Sequence, residues 1–69
     1  MKRIAVNSGE LLSVGYDAEL QVLEAELTDG GLYQFVKVSA EVYAALMNAQ
    51  NKYGYFKAFI MEQYLVRKL

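Results

Sequence analysis

The sequence predicts an α+β fold, in which an antiparallel β-meander of about three strands is covered by a C-terminal helical hairpin. Apolar and polar residues alternate in the first half of the chain, as in half-buried strands. After Val38 the apolar residues recur at helical spacing instead. Because 69 residues make one domain only, residues 1–69 are predicted to share a single core.

The predicted strands cover residues 11–16, 20–28 and 32–38. In the middle strand Leu23, Ala25 and Leu27 alternate with Glu24 and Glu26, which predicts one apolar and one solvent-exposed face. The register of the first hairpin stays open, because both of its faces have apolar character. The residues that would form a second apolar face of the sheet are Leu12, Val14, Leu20 and Val22.

The second hairpin is predicted to turn through a three-residue loop, Asp29 to Gly31. This loop sets Leu27 opposite Tyr33 and Ala25 opposite Phe35, which gives one continuous apolar face. A two-residue loop would set glutamates opposite the two rings, so the longer loop is favoured.

Two helices are predicted after the strands. Ser39 is a suitable N-cap for a helix over residues 40–50, and Asn51 and Gly54 are predicted to end it. A second helix is predicted from Tyr55 to about residue 66, with Arg67 and Lys68 at its C-terminus. Apolar stripes define the faces that should pack on the sheet, namely Val42, Ala45, Leu46 and Ala49 on the first helix and Phe56, Phe59, Ile60 and Tyr64 on the second.

The composition excludes much enzyme chemistry. The chain has neither cysteine nor histidine, so thiolate or imidazole zinc sites and the usual nucleophilic triads are excluded. Glu24 and Glu26 are interpreted as the solvated face of a strand rather than a carboxylate pair, and Gly30-Gly31 as a turn rather than a phosphate loop. We therefore expect no catalytic residues, no metal site and no cofactor.

Location and partners are predicted from hydropathy and charge. No stretch approaches the roughly 20 apolar residues of a membrane span, so a cytoplasmic protein with no membrane partner is expected. Residues 1–29 carry two basic and six acidic side chains, whereas residues 30–69 carry five basic and two acidic ones. An anionic partner is therefore expected to meet the second half of the chain.

The spacing of particular residues resembles the KTSC domain family, from about residue 6 to residue 64. That family is named for a domain at the C-terminus of some lysyl-tRNA synthetases and also occurs as small bacterial and phage proteins. The residues that carry the resemblance are Gly15-Tyr16-Asp17, Leu23, Ala25, Leu27, Gly30, Tyr33, Phe35, Val38, Val42-Tyr43, Ala49, Tyr55-Phe56, Ile60 and Tyr64.

The family that the chain resembles has no established activity, and RNA binding has been suggested for it from its synthetase connection and its central Tyr-x-Tyr motif, here Tyr33-Gln34-Phe35. The family's usual Val-Pro is Val38-Ser39 here, and the glycine between the helices has moved to Gly54. Where relatives often carry a basic residue or Asn, this chain has Gln34, Gly54, Met61 and Gln63, while Lys57 replaces a common Asn. If RNA binding in the family depends on arginines at those positions, this chain has lost much of that binding.

The segment NKYGYFKAF, residues 51–59, allows two interpretations. Phe56 and Phe59 are assigned to the core with Phe35 and Tyr33, while Tyr53 and Tyr55 are open between packing and contact with a partner. The predicted function is a small non-enzymatic accessory domain that binds RNA weakly through the helical hairpin. The predicted nucleic-acid-binding residues are Lys52, Tyr53, Tyr55, Lys57, Tyr64 and Lys68.

The alternative is a module for protein binding or self-association without nucleic-acid binding. The predicted second apolar sheet face, the six tyrosines and two methionines expected to be exposed, Met47 and Met61, favour this alternative.

Overall fold

The computed structural model describes residues 2–69, so residue 1 of the predicted domain lies outside the described residues. The α+β class is confirmed, but the antiparallel sheet has five strands rather than about three, in the order β1-β2-β3-β4-β5. The strands are β1 Ile4–Ser8, β2 Leu11–Asp17, β3 Val22–Leu27, β4 Leu32–Phe35 and β5 Val66–Lys68.

Two helices, α1 Ala40–Asn48 and α2 Lys52–Phe59, lie between β4 and β5 in the chain. The predicted N-cap of α1 is confirmed, since Ser39 Oγ accepts a hydrogen bond from the Val42 N–H at 3.3 Å. The prediction that Gly54 separates the helices is wrong. Asn51 instead caps α2, with its Oδ1 accepting the Gly54 N–H at 2.9 Å, and Gly54 lies in the first turn.

Both edge strands are additions to the predicted sheet. β1 is irregular, because Asn7 has a φ of 46° and the register with β2 shifts between Ala5 and Ser8. At the other edge, α2 ends at Phe59, and the chain reverses before β5 pairs with β4. The prediction that the second helix continues to Lys68 is therefore wrong.

The β3–β4 hairpin has the predicted faces but a different register. Ala25 pairs with Tyr33, and the loop spans residues 28–30 rather than 29–31. Gly30 takes a φ of 84°, which favours glycine at the last loop position. Tyr33 thus pairs with a residue two positions away from the predicted partner, Leu27. Because side chains alternate along a strand, a shift of two residues leaves the predicted side chains on the same face.

The β2–β3 pairing excludes the predicted second apolar face. Val14 pairs with Ala25, and both side chains are fully buried in the core. Leu20, in contrast, is 70% exposed and lies in the turn between the strands. The face of the sheet turned away from the helices is polar, and it carries both glutamates of β3.

The core lies between the inner sheet face and the helices. Phe35 and Phe56 meet edge to face with ring centroids 5.4 Å apart, which confirms their assignment to the core. Phe59 was assigned to the core as well, but it is 57% exposed. The expectation that Met47 and Met61 are exposed is also wrong, because both are partly buried against the core. The fully buried residues are Leu11, Val14, Leu23, Ala25, Val38, Leu46, Phe56 and Ile60, and Phe35 is almost fully buried.

Helix α1 docks through aromatic stacking. The rings of Tyr43 on α1 and Tyr16 on β2 stack with centroids 4.8 Å apart and an interplanar angle of 11°. The Tyr16 hydroxyl donates a hydrogen bond of 2.6 Å to the carbonyl of Val38, just before the helix begins. Of the predicted α1 stripe, Leu46 is buried, whereas Ala45 is exposed. Across residues 2–69, neither helix has the length and apolarity needed to cross a membrane.

Candidate functional site

An open cleft of about 370 Å³ lies on the inner side of the sheet, where the helical hairpin leaves the sheet partly uncovered. Its floor is apolar, and two phenol rings and two carboxylates stand around it. The cleft is lined by Glu10, Leu27, Asp29, Tyr33, Phe35, Tyr53, Met61 and Val66. Strands β3, β4 and β5, helix α2 and the β1–β2 turn therefore all contribute to one site.

Tyr53 forms one wall of the cleft, where it contacts the end of strand β1 and the β1–β2 turn. Its N–H donates to Ser8 Oγ at 3.1 Å, and its ring lies so close to Gly9 that an added Cβ there would be 2.6 Å from Tyr53 Cδ2. Lys57, one turn along α2, places Nζ 5.5 Å from the ring centroid. Burial and the Glu10 carboxylate raise the pKa of Tyr53, so its phenol stays protonated at neutral pH.

Tyr33 forms the opposite wall in a similar way. An added Cβ at Gly31 would lie 2.6 Å from the Tyr33 ring, and Lys68 Nζ lies 5.8 Å from the ring centroid. The Tyr33 hydroxyl donates to Asp29 Oδ2 at 2.9 Å. This hydrogen bond raises the pKa of Tyr33, and hydrogen bonds from the Gly31 N–H and Tyr33 lower the pKa of Asp29.

The charges around the cleft balance one another. Lys57 and Lys68 are over the two rings, while Glu10 and Asp29 belong to the lining. Lys68 is close enough to Asp29 for its charge to help lower the pKa of that carboxyl. Two cations and two anions around an apolar floor give a rim with no net charge at neutral pH.

The six predicted nucleic-acid-binding residues fall into two groups. Tyr53 lines the cleft, and Lys57 and Lys68 each lie over the ring of a lining tyrosine, an arrangement that their separation in sequence did not reveal. The other three are not part of this arrangement. Lys52 donates from Nζ to the carbonyl of Ala49 at 3.0 Å, Tyr55 packs on Phe59, and Tyr64 is partly buried against the core.

Few aromatic rings are free to stack on a base. Of the nine aromatic side chains, only Phe59 is more than a third exposed. Tyr55 and Phe59 contact each other with centroids 4.8 Å apart, on the side of α2 away from Tyr53. One face of each of the Tyr33 and Tyr53 rings already carries a lysine, so a base stacking on that face would have to displace an ammonium group.

The outer face of the sheet carries a separate polar network. Arg3, just before β1, donates to Ser13 at 3.1 Å and forms an ion pair with Glu24 at 2.6 Å. Gln34 on β4 donates to the other oxygen of Glu24 at 3.1 Å, and Arg67 on β5 donates to Gln34 at 3.1 Å. Hydrogen bonds thus connect all five strands or their ends across this face.

Glu24 is the buried centre of that network, at 6% exposure, which corrects its interpretation as a solvated side chain. Burial alone would raise its pKa. Hydrogen bonds from Gln34 and Arg3, with the charge of Arg3, outweigh burial and lower the pKa. Glu26 also has a partner, since Ser13 Oγ donates to it at 3.0 Å.

Glu10 and Asp29 were not recognised from the sequence as site residues, and Tyr33 was assigned to the core although it belongs to the Tyr-x-Tyr motif. Glu10 lies in a turn whose position depends on the unpredicted strand β1, and Asp29 was interpreted only as a loop residue. The Asp29-Gly30-Gly31-x-Tyr33 spacing did contain a usable signal, because it brings the carboxylate and the phenol together across a tight turn.

Two of the comparisons with known proteins point to one family. The model of the KTSC domain matches residues 7–64. An uncharacterized protein from Stutzerimonas stutzeri (strain A1501) is 41% identical over 64 residues, which cover 93% of this chain and 90% of that protein. The crystal structure of a KTSC domain protein from Yersinia pestis has a TM-score of 0.94 at 32% identity, covering 99% of this chain and 96% of that chain.

Proposed function

The chain belongs to the KTSC domain family, and on that premise we propose that it is a non-enzymatic binding module that takes a short apolar segment of a partner protein into the cleft. The observation that carries this proposal is an open apolar floor beneath a charge-balanced rim. Such a rim neither attracts nor repels a charged ligand strongly, whereas the floor gains from being covered.

The size and lining of the cleft support a protein ligand. Its volume of about 370 Å³ is at the lower end of the usual range for binding pockets, enough for one or two apolar side chains. Tyrosine and methionine, which line it through Tyr33, Tyr53 and Met61, are enriched at protein interfaces. A partner side chain placed there would cover surface that the helical hairpin leaves open.

The titratable groups support a binding role rather than catalysis. A general acid or base works best with a pKa close to the operating pH. The carboxyl pKa values of Glu24 and Asp29 are lowered, and the phenol pKa values of Tyr33 and Tyr53 are raised. All four shifts move away from neutrality and hold each group in its ordinary protonation state.

The proposal is tested with peptides selected from a displayed random dodecapeptide library against the intact protein. Synthetic copies of the selected peptides should carry apolar side chains and shift the amide and methyl signals of Leu27, Met61 and Val66. Val66→Lys, at a residue already 44% exposed, should weaken binding at least about tenfold by placing a charge in the cleft wall. The matched control is Leu20→Lys, at a 70% exposed apolar residue outside the lining, which should leave binding unchanged.

A second candidate function is RNA binding, because the fold brings Lys57 and Lys68 to the same cleft. If this candidate is correct, a ten-nucleotide single-stranded RNA should shift the signals of both lysines at low salt, and the shifts should fade near physiological salt. Lys57→Gln/Lys68→Gln should then abolish the shifts, while Lys2→Gln/Lys37→Gln removes the same charge elsewhere. RNA binding at the lysines without peptide binding in the cleft would overturn the protein-segment proposal.

A further inference from the structure

Strand β5, Val66–Lys68, forms an edge of the sheet, and its outer side has no neighbouring strand within residues 2–69. The edge of β5 that faces β4 is paired over all three residues. The Val36 N–H donates to the Leu65 carbonyl at 3.0 Å, and the Leu69 N–H donates to the Leu32 carbonyl at 2.8 Å. Because alternate residues of an antiparallel strand face the same neighbour, Leu65, Arg67 and Leu69 direct their backbone groups to β4.

The backbone groups of Val66 and Lys68 consequently point outward, where a further strand would bind. The side chains of these two residues face the inner side of the sheet, since they pair with Phe35 and Tyr33. Val66 lines the cleft, so a strand added to β5 would lie directly beside it. The edge and the cleft are therefore adjacent parts of one surface.

The two edges of the sheet differ in how well they could accept a strand. β1 is interrupted by a register shift between Ala5 and Ser8, which disturbs the alternation that a new strand must match. β5 is regular over its three pairs and is flanked by exposed apolar side chains, with Leu65 at 77% and Leu69 at 59% exposure. The β5 edge is thus the better template for strand addition.

The charges on β5 decide which strand it accepts. In the antiparallel register that pairs all three residues of β5 with those of a second copy, Val66 would pair with Lys68 of the other copy. Arg67 would then lie directly opposite the second Arg67. Like charges directly opposite one another destabilise a strand pair. This edge therefore disfavours a second copy and favours a strand with carboxylates.

We propose that an extended acidic segment of a partner protein adds to β5 as a sixth strand, with carboxylates opposite Lys68 and Arg67 and an apolar side chain opposite Val66. The inference rests on the proposed function, because the apolar side chain is the one that lies next to the cleft. In an antiparallel partner these three positions follow one another, so the recognised sequence reads acidic, acidic, apolar.

The probes are two capped octapeptides that differ only at the centre, one reading Glu-Glu-Val and the other Lys-Lys-Val. By calorimetry and amide shifts, the acidic peptide should bind the intact protein about tenfold more tightly, with the largest shifts at Val66 and Lys68. The Arg67→Glu variant should reduce or reverse that preference, because the charge opposite the central acidic position is inverted.

The backbone contact is tested with Lys68→Pro and its control Lys68→Ala. Both variants lose the ammonium group, but only proline removes the outward N–H, and proline is tolerated at such edge positions. Lys68→Pro should bind the acidic peptide about fivefold more weakly than Lys68→Ala. Circular dichroism of both variants verifies that each is folded before binding is compared.

The outcomes separate this inference from the proposed function. Equal binding by Lys68→Pro and Lys68→Ala, with binding of the library-selected peptides still lost in Val66→Lys, overturns the sixth strand and leaves the cleft proposal standing. A dimer of the intact protein that Lys68→Pro dissociates would overturn the acidic partner in favour of a second copy. Equal affinity for both octapeptides would overturn the charge assignment, and no binding of any peptide would overturn both proposals.

Discussion

At the scale of single residues, Gly9 combines two reasons to lack a side chain. Its φ is 53°, and an added Cβ would lie 2.6 Å from the Tyr53 ring. We expect Gly9→Ala to lower the free energy of unfolding by about 2–4 kcal/mol, because backbone strain and overpacking act together. Urea denaturation measures this loss. The same change would push the Tyr53 ring out of the wall of the cleft.

Gly30→Ala is the matched control for that prediction. Gly30 also has a positive φ, 84°, but no atom lies within 4 Å of an added Cβ. Its substitution should therefore lower the free energy of unfolding by the backbone strain alone, about 1–2 kcal/mol. Equal losses in the two variants would show that the Gly9–Tyr53 contact adds nothing to stability.

Burial of single aromatic residues was only partly predictable. Phe35, Phe56 and Ile60 were assigned correctly, because any docking of the apolar helix stripe on the apolar sheet face buries them. Phe59 belongs to the same stripe but is the last residue of α2, and it is 57% exposed. The width of a buried stripe depends on the neighbouring elements, which a single helical pattern does not specify.

At the scale of elements, the two helix caps should differ in strength. Asn51 accepts the Gly54 N–H at 2.9 Å, whereas Ser39 accepts the Val42 N–H at 3.3 Å. We expect Asn51→Ala to lower the free energy of unfolding by about 1 kcal/mol and Ser39→Ala to lower it by less. Parallel urea titrations compare them, and a larger loss for Ser39→Ala would contradict the geometry.

The docking of α1 on the sheet gives a second prediction for an element. The stacked rings of Tyr16 and Tyr43 should contribute about 1 kcal/mol beyond their buried area. Tyr43→Leu should therefore lower the free energy of unfolding, while Tyr43→Phe, which keeps the ring, should change it little. A double-mutant cycle with Tyr16→Leu isolates the pairwise contribution, and a coupling energy near zero would contradict a stabilising stack.

The elements that the sequence did not predict are those defined by distant partners. Strand β5 pairs with β4, and Val66 lies opposite Phe35, yet no local sequence pattern near Val66 predicts this pairing. Arg67 and Lys68 suit the end of a helix as well as an edge strand. Because β5 was not predicted, the sequence could not place Lys68 over Tyr33, and the contribution of Lys68 to the cleft rim was missed.

At the scale of the whole molecule, the network on the outer face fixes the five strands relative to one another. Gly15 makes room for it, because an added Cβ would lie 2.7 Å from the carbonyl oxygen of Lys2 and 3.2 Å from Arg3 Cγ. The chain before β1 thus passes close over β2 and delivers Arg3 to Glu24. The sheet face opposite the helices is thereby stabilised by hydrogen bonds and charge rather than by an apolar layer.

This network should make the stability of the protein depend on pH in the acidic range. The folded-state pKa of Glu24 is lowered from its ordinary 4.5, because hydrogen bonds from Gln34 and Arg3 outweigh the effect of burial. As pH falls, the unfolded state takes up the proton first. The stability contributed by Glu24 is therefore fully present above pH 4.5 and is lost as pH falls through the folded-state pKa.

The measurement is the free energy of unfolding in urea from about pH 7 to about pH 3, for the wild type, Glu24→Gln and Asp29→Asn. Glu24→Gln should be less stable at neutral pH, because Arg3 loses its charged partner, and should lose less stability on acidification. Asp29→Asn is the control for the cleft, where the lowered pKa has the same sign but a different cause, the hydrogen bonds from Gly31 and Tyr33. If Glu24→Gln loses as much stability on acidification as the wild type, the carboxylate that joins β1, β3 and β4 does not control the acid sensitivity of the fold.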